Sequence, residues 1–281
     1  MGFSKIKSHA KINLALNITG KTSSLHKIES IVAFVSLHDD ILIKITKSKK
    51  HNILFNGKFS KNIGKNNTIS KLLWLLEKKK LLNNKKFQIK INKRIPNKAG
   101  LGGGSMNAAS ILRYFVKKKI ISTTNKEILV ISKSIGSDVI LGFESVNSVL
   151  TSKNKIKRFT NYKKIYILIV KPNFGCSTGE IYSRVKKFNK PKLNKPKKRM
   201  FNLDYLKKMN NSLELVTFSK YPRLRGIKLY LESLSKPAFV RMTGSGSALV
   251  AYFQSKERCD NAKKQLARKY KNYWCIASKT I

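Results

Sequence analysis

Acidic residues are scarce in this chain of 281 residues: 13 Asp and Glu stand against 60 Lys and Arg, a formal net charge of +47. Cysteine is scarcer still. Cys176, Cys259 and Cys275 are odd in number and far apart, which excludes a disulfide framework and a zinc ligand set and predicts a reducing, cytoplasmic home. No apolar run approaches the roughly 18–20 residues of a spanning helix, so no membrane partner is expected. The opening "MGFSKIKSHAKINLALNITG" has no apolar core followed by a small-residue cleavage site, so no signal peptide is read. Gly2 opens a myristoylation pattern, but Ile6 stands where that pattern needs Ser or Thr. Hydrophobic residues make up 41%, enough for a sizeable core in one large domain or two modest ones.

The positive excess has two readings. A polyanion such as nucleic acid or a membrane surface is one. Drift in amino-acid usage is the other: Lys, Asn and Ile are abundant together, and the lysines run along the whole chain. No basic stretch is interleaved with aromatics as in RNA-binding modules, and no zinc-finger spacing or heptad-bearing basic region occurs. Drift is the reading adopted, and no specific nucleic-acid partner is expected.

The first third reads mostly as strands, with "DDILIKITK" and "FQIKINKRIP" alternating apolar and polar residues. "KINLALNIT", "DDILIKITK" and "FQIKINKRIP" read as strands; in the last, Phe87, Ile89 and Ile91 share one face and Pro96 ends the run. "NNTISKLLWLLEKKKLL" reads as a helix with Asn67 or Thr68 at its N-cap, and "NKEILVISKSI" as a helix closed by Gly136. "NSVLTS" and the almost wholly apolar "KIYILIVKP" read as strands. Residues 185–200, "VKKFNKPKLNKPKKRM", have too few apolar groups to offset the entropy of ordering them and are predicted to be a solvated, mobile connection. Beyond it, "LDYLKKMNNSLELVTFSKYP" and "RLRGIKLYLES" read as helices, "AFVRMTGSGSALVAYFQ" as two strands around a glycine turn, and "SKERCDNAKKQLARKY" as a helix capped by Ser255.

Between the strand ending at Pro96 and an Ala-rich helix lies "NKAGLGGGSMNAASIL". Gly100, Gly102, Gly103 and Gly104 permit positive φ and close approach of a ligand to the backbone. The helix behind them presents unpaired N–H groups and partial positive charge to the loop, which suits an anion. Ser105 adds a hydroxyl. The pattern is neither a Gly-Lys-Ser/Thr P-loop nor a dinucleotide fingerprint. As a bare turn it needs no ligand; its place between strand and helix favours phosphate. A second cluster, Gly244-Ser245-Gly246-Ser247, sits between two strands. It reads as a hairpin turn, or as a group of N–H donors and hydroxyls that closes over a phosphate or braces the first loop.

Among the few acids, Asp138 follows a helix-ending glycine and precedes an apolar run. It is either a base or holder for a hydroxyl proton, or a cap paired with lysine. Lys11 lies inside the apolar-patterned "AKINLAL", where a lysine either snorkels or faces a site. The two could pair, the lysine keeping the acid ionised and stabilising charge on a transferring phosphoryl group.

"KINLALNITG", "IPNKAGLGGGSMNAASIL", "GSDVILG" and "MTGSGSALVAYF", in that order and spacing, resemble the GHMP kinases over nearly the whole chain. The Ala-Gly-Leu-Gly-Gly-Gly-Ser loop and the Lys-Ile-Asn-Leu opening point to the branch that transfers the γ-phosphoryl of ATP, with Mg2+, to the 2-hydroxyl of a cytidine-diphosphate-linked methylerythritol. The resemblance implies an α+β fold of two domains, drawn at residues 1–158 and 159–281, with the active site in the cleft between them. It implies a monomer or homodimer. Carried over by position, Lys11 and Asp138 fall on the catalytic pair. Pro96, Ala99, Gly100, Leu101, Gly102, Gly103, Gly104 and Ser105 fall on the ATP loop, and Asn13, Leu25, His26, Thr178, Tyr182, Gly244 and Ser245 on substrate contacts. The resemblance implies no residue dedicated to a metal.

Three positions depart from that pattern. Where the family reads Asp-Gly-Tyr-His, this chain has Ser23-Ser24-Leu25-His26; the family's tyrosine stacks on the cytosine ring, and Leu25 offers apolar contact without a π face. Tyr182 matches the aromatic on the other side of the ring. Ser105-Met106-Asn107 replaces Ser-Ser-Asp, and "NSLE" at Asn211–Glu214 replaces Asn-Asp-Leu-Glu. A kinase for another small alcohol, suggested by Leu25, and a basic nucleic-acid-binding protein, suggested by the charge, are the alternatives.

Overall fold

The structure, a computed structural model, describes residues 2–23, 25–160 and 163–281. The chain divides into two compact units that interleave in sequence: Met1–Lys11, Leu37–Asn97 and Gly102–Ser145 form one, and Ile12–Ser36, Lys98–Leu101 and Val146–Ile281 the other. Two long paired strands, β1 (Ser4–Lys21) and β2 (His26–Thr46), contribute residues to both.

In the first unit β3 (Asn52–Asn56) pairs in parallel with β4 (Lys86–Asn92), which pairs antiparallel with the second half of β2. Ile89 of β4 is level with Ile53 on one side and Ile43 on the other. The alternation expected of β4 is observed: Phe87, Ile89 and Ile91 are buried and the residues between them are not. Against that face lie α1 (Thr68–Lys78), α2 (Gly103–Lys117), α3 (Asn125–Ile135) and the short α4 (Val139–Gly142). Helix α1 buries Ile69, Leu72, Leu73 and Leu76, the spacing of one helical face. Asn67 is its N-cap, accepting from the Ile69 and Ser70 N–H groups, while the Asn67 N–H donates to the Ser70 hydroxyl. Helix α3 starts at the same kind of reciprocal cap, Thr124 with Glu127, and ends at Gly136.

In the second unit β5 (Ser148–Leu150) pairs with the first half of β2 and with β6 (Ile156–Arg158). β7 (Tyr166–Lys171) is central to an antiparallel sheet ordered β10-β7-β9-β8, with β8 (Phe239–Met242), β9 (Leu249–Phe253) and β10 (Trp274–Lys279). Helices α5 (Thr178–Ser183), α6 (Leu203–Lys207), α7 (Leu213–Lys220), α8 (Pro222–Ser233) and α9 (Lys256–Lys269) complete it. Leu168, Val170, Ile181, Leu213, Leu231, Phe253 and Leu266 share its core.

Two expectations need correction. The stretch expected to be helical over 203–222 holds two helices, α6 and α7, because the Asn211 side chain is used elsewhere: its Nδ2 donates to the Met242 and Gly244 carbonyls and its Oδ1 accepts from the Leu213 N–H. Buried Arg241 holds the end of α6, donating to the carbonyls of Leu206 (3.0 Å), Met209 and Leu14. Residues 185–200 are not a free connection. Glu29, fully buried on β2, accepts from the backbone N–H groups of Lys192 (2.7 Å) and Leu193 (2.9 Å). Asn189 donates to Ile18 O through its backbone and to Asn17 Oδ1 and Ser212 Oγ through its side chain, and Leu193 is buried. A few well-satisfied polar anchors replace the hydrophobic burial the segment lacks.

Candidate functional site

The sequence-predicted residues fall into two groups, one in each unit. In the first unit are Lys11, Pro96, Gly102, Gly103, Gly104, Ser105 and Asp138. Lys11 Nζ lies 3.1 Å from Asp138 Oδ2; the lysine side chain is 5% exposed and the aspartate 28%. A buried ammonium thus sits against a carboxylate whose side chain is partly open to solvent. Asp138 opens α4, directly after the turn that begins at Gly136, and the site an added Gly136 Cβ would occupy is 3.6 Å from Ser105 Oγ.

Gly102 has φ +69 and is the N-cap of α2, which no side chain caps. A Cβ there would stand 2.9 Å from Lys11 Cγ, so the lysine stem runs against the bare backbone of the loop. Gly103, Gly104 and Ser105 form the first turn of this 15-residue helix, where N–H groups point outward from the helix end. Thr68, at the start of α1, donates to the Gly104 carbonyl at 2.8 Å and joins the two helix N-termini. Beside them a cavity of about 400 Å³ is lined by Phe55, Ile63, Asn67, Leu73 and Trp74, among others.

Beneath the loop sits a group that the sequence reading missed. Asp39 is fully buried and accepts from Arg94 N (2.7 Å), Ile95 N (2.9 Å) and Asn107 Nδ2 (3.0 Å), and it pairs with the buried Lys93 ammonium. Lys93 Nζ is 3.3 Å from where a Gly103 Cβ would be. One carboxylate thus ties the end of β4 to the first turns of α2. The scarcity of acids that singled out Asp138 applied equally to "LHDDIL", where two carboxylates interrupt an apolar-patterned strand.

The second unit holds Asn13, Leu25, His26, Ala99, Gly100, Leu101, Thr178, Tyr182, Gly244 and Ser245. Here the two glycine clusters meet, as the bracing alternative required. A Cβ on Gly100 (φ +72) would fall 2.0 Å from the Thr243 carbonyl oxygen. Thr243 Oγ1 donates to Gly100 O, and Ser247 N and Ala248 N donate to the carbonyls of Lys98 and Ala99. Buried Asn13 accepts from Gly244 N (3.1 Å) and donates to Ser30 Oγ (2.8 Å), fixing the turn from the strand side. Thr178 Oγ1 and Ser245 Oγ are 3.0 Å apart. The His26 and Tyr182 rings are 5.2 Å apart. Leu25 is 70% exposed, in a tight turn closed by its hydrogen bonds with Thr22; Ser24 lies outside the described residues. Burial pushes the Cys176 thiol up to about 11, against the pull of Lys171, which suits a packing residue and not a nucleophile.

Among the described residues no group of three or more His, Cys, Asp and Glu could hold a metal, and no helix is long and apolar enough to cross a membrane.

Residues 67–146 match the GHMP kinases N terminal domain and residues 194–272 the GHMP kinases C terminal domain. Over 277 residues the chain is 57% identical to the 4-diphosphocytidyl-2-C-methyl-D-erythritol kinase of Pelagibacter ubique, covering 99% of both chains. It is 31% identical over 289 residues to the same enzyme of Clostridium tetani, covering 99% of this chain and 100% of that one. A crystal structure of 4-(cytidine 5'-diphospho)-2C-methyl-D-erythritol kinase matches its fold with a TM-score of 0.79 at 22% identity, over 99% of this chain and 100% of that one. A homoserine kinase from Cytophaga hutchinsonii matches with a TM-score of 0.73 at 13% identity, over 100% of this chain and 95% of that one.

Proposed function

The chain belongs to the GHMP kinase family of small-molecule kinases, and on that premise we propose that it phosphorylates the 2-hydroxyl of 4-diphosphocytidyl-2-C-methyl-D-erythritol with ATP, a step in isoprenoid precursor synthesis. The chemistry rests on one observation: a buried lysine 3.1 Å from a partly open aspartate, its stem lying along a glycine loop at an uncapped helix end. The choice of acceptor rests on the full-length identity to the Pelagibacter enzyme.

Phosphoryl transfer asks a protein chiefly for positioning and for positive charge where negative charge spreads. In this reading the N–H groups at Gly103, Gly104 and Ser105 cradle the ATP phosphates, and the cavity beside Asn67 takes the base. Asp138 accepts or holds the proton of the acceptor hydroxyl. Lys11, 3.1 Å from that carboxylate, supplies positive charge to the transferring group. Asn13 sets the Gly244–Ser245 turn that, with Thr178, contacts the acceptor. Magnesium fits this chemistry only with most ligands drawn from the triphosphate and water, because the described residues offer it little beyond Asp138 and Ser105; it would neutralise charge on the phosphates. We place the enzyme in the cytoplasm, as a monomer or homodimer.

The test is to incubate the purified chain with ATP and a panel of alcohols, homoserine, mevalonate and the cytidine-linked polyol among them, following ADP release and the phosphorus spectrum of the product. Turnover confined to the cytidine-linked polyol is expected. Faster turnover of another alcohol would move the chain to a different branch of the family.

A further inference from the structure

Leu25 leaves a question about the base of the substrate: an aliphatic side chain, exposed and turned into a tight loop, stands where a stacking ring is expected. The described structure holds another ring nearby. Phe188 lies 6.3 Å from His26, centroid to centroid, and Tyr182 is 5.2 Å from the same imidazole. Phe188 is 46% exposed, so nearly half of a large apolar side chain is still available for contact. Its backbone is held all the same. Asn189, the next residue, donates to Ile18 O at 2.8 Å and to Asn17 Oδ1 at 2.8 Å, and Glu29 anchors Lys192 and Leu193 beyond it. An exposed ring on an anchored backbone loses little further entropy when a ligand covers it.

The histidine that contacts both rings carries a second sign of a ligand. Its Nε2 is buried and has no hydrogen-bond partner among the described residues. Buried polar atoms are paired as a rule, so an orphan beside two aromatic rings points to a group that a base edge would satisfy. Burial, with Lys21 beside it, lowers the His26 pKa, which keeps the ring neutral and able to donate or accept at neutral pH. Lys186, Lys187 and Lys190, exposed on either side of Phe188, supply positive charge suited to a diphosphate attached to that base.

We propose that Phe188, and not Leu25, is the second aromatic wall of a pocket for the pyrimidine of a nucleoside diphosphate, with Tyr182 as the first wall and His26 Nε2 at the base edge. The inference rests on the cytidine-linked substrate proposed above. It makes Phe188 a specificity-determining residue carried by a strap that Glu29 and Asn17 set in place.

The experiment is calorimetric titration of the full chain with cytidine 5'-diphosphate and with pyrophosphate, for the wild type, Phe188→Ala, Phe188→Tyr and Leu25→Ala, alongside saturation curves for the cytidine-linked polyol. Phe188→Ala is expected to weaken cytidine diphosphate about fivefold, the low end for a base stacked on a ring, and to raise KM by a similar factor with kcat unchanged. Phe188→Tyr should restore the affinity, and the loss in Phe188→Ala should exceed that in Leu25→Ala. Pyrophosphate binding should be the same in all four. A wild type that prefers cytidine diphosphate over pyrophosphate while Phe188→Ala binds it equally well, or a larger loss in Leu25→Ala, overturns the role of Phe188 and leaves the substrate standing. A wild type that binds cytidine diphosphate no better than pyrophosphate overturns the cytidine-linked substrate itself, and the pocket with it.

Discussion

Replacing Gly102 by alanine tests the link between the glycine loop and the buried lysine. Gly102 has φ +69, a region that costs an L-residue about 1–2 kcal/mol. The new methyl would also stand 2.9 Å from Lys11 Cγ and 3.1 Å from Lys11 Cε. Something must give, and the lysine stem is the softer partner. Its ammonium then leaves Asp138, from which it is now 3.1 Å away. A misplacement on the order of 1 Å at a catalytic group costs roughly 100-fold. Gly102→Ala is therefore expected to cut kcat by about two orders of magnitude, with a fall in Tm of only about 2–8 °C for a loss of that size in a protein of this length. Coupled ADP-release kinetics at saturating substrates and a circular-dichroism melt give both numbers. Gly226→Ala is the control: its Cβ would meet nothing within 4 Å and it lies inside α8, so Tm should rise slightly and kcat stay put. If Gly102→Ala melts early but turns over within threefold of wild type, the lysine does not depend on the bare backbone and the reasoning fails.

Asp138→Asn should lower turnover by about 100-fold or more at nearly unchanged ATP affinity, and adding Lys11→Met should cost little further, because both groups serve one transition state; a double variant far slower than either single would show independent roles. Asp39→Asn strands the buried Lys93 cation, a loss of about 3–5 kcal/mol in a denaturant melt, and adding Lys93→Met should recover most of that stability. The double variant should still show a raised KM for ATP if the group braces the loop; a normal KM would reduce it to packing. Stability should fall as pH drops from about 7 to 5.5. Burial lowers the native pKa of His26 and of His51 from 6.5, and His51 Nδ1 accepts the Phe87 N–H at 3.0 Å, so the unfolded chain binds more protons in that window. Denaturant melts of wild type and of a His26→Gln/His51→Gln variant check the sign: the slope should flatten in the variant, and a wild type that gains stability on acidification would refute it.

The strand–loop–helix around residues 86–117 was legible because its signals are local. A period of two, a glycine cluster and an alanine run each constrain the backbone where they occur. The Lys11–Asp138 pair was legible for a different reason: in a chain with so few acids, one set in an apolar run stands out. What escaped depends on partners remote in sequence. The strap at 185–200 is ordered by Glu29, more than 150 residues earlier, and its own composition carries no trace of that. The division of β1 between the units at Lys11 and Ile12 falls in mid-strand, where neither composition nor periodicity changes. Asn211 breaks a helical pattern because of carbonyls 31 and 33 residues away.

That strap has a consequence for the protein's survival among proteases. Between Lys186 and Arg199 it carries Lys or Arg at positions 186, 187, 190, 192, 195, 197, 198 and 199, exposed and, apart from 190 and 195, which precede proline, each a tryptic bond. A protease needs several consecutive residues to detach before it can seat them, and Asn189, Lys192 and Leu193 are hydrogen-bonded at the backbone. Cleavage there proceeds at the frequency with which those bonds open together. The nicking rate thus becomes a clock for the strap's opening, and Glu29→Gln, which weakens its anchor by one charge, should make that clock run fast while the rest of the chain is digested at its former pace.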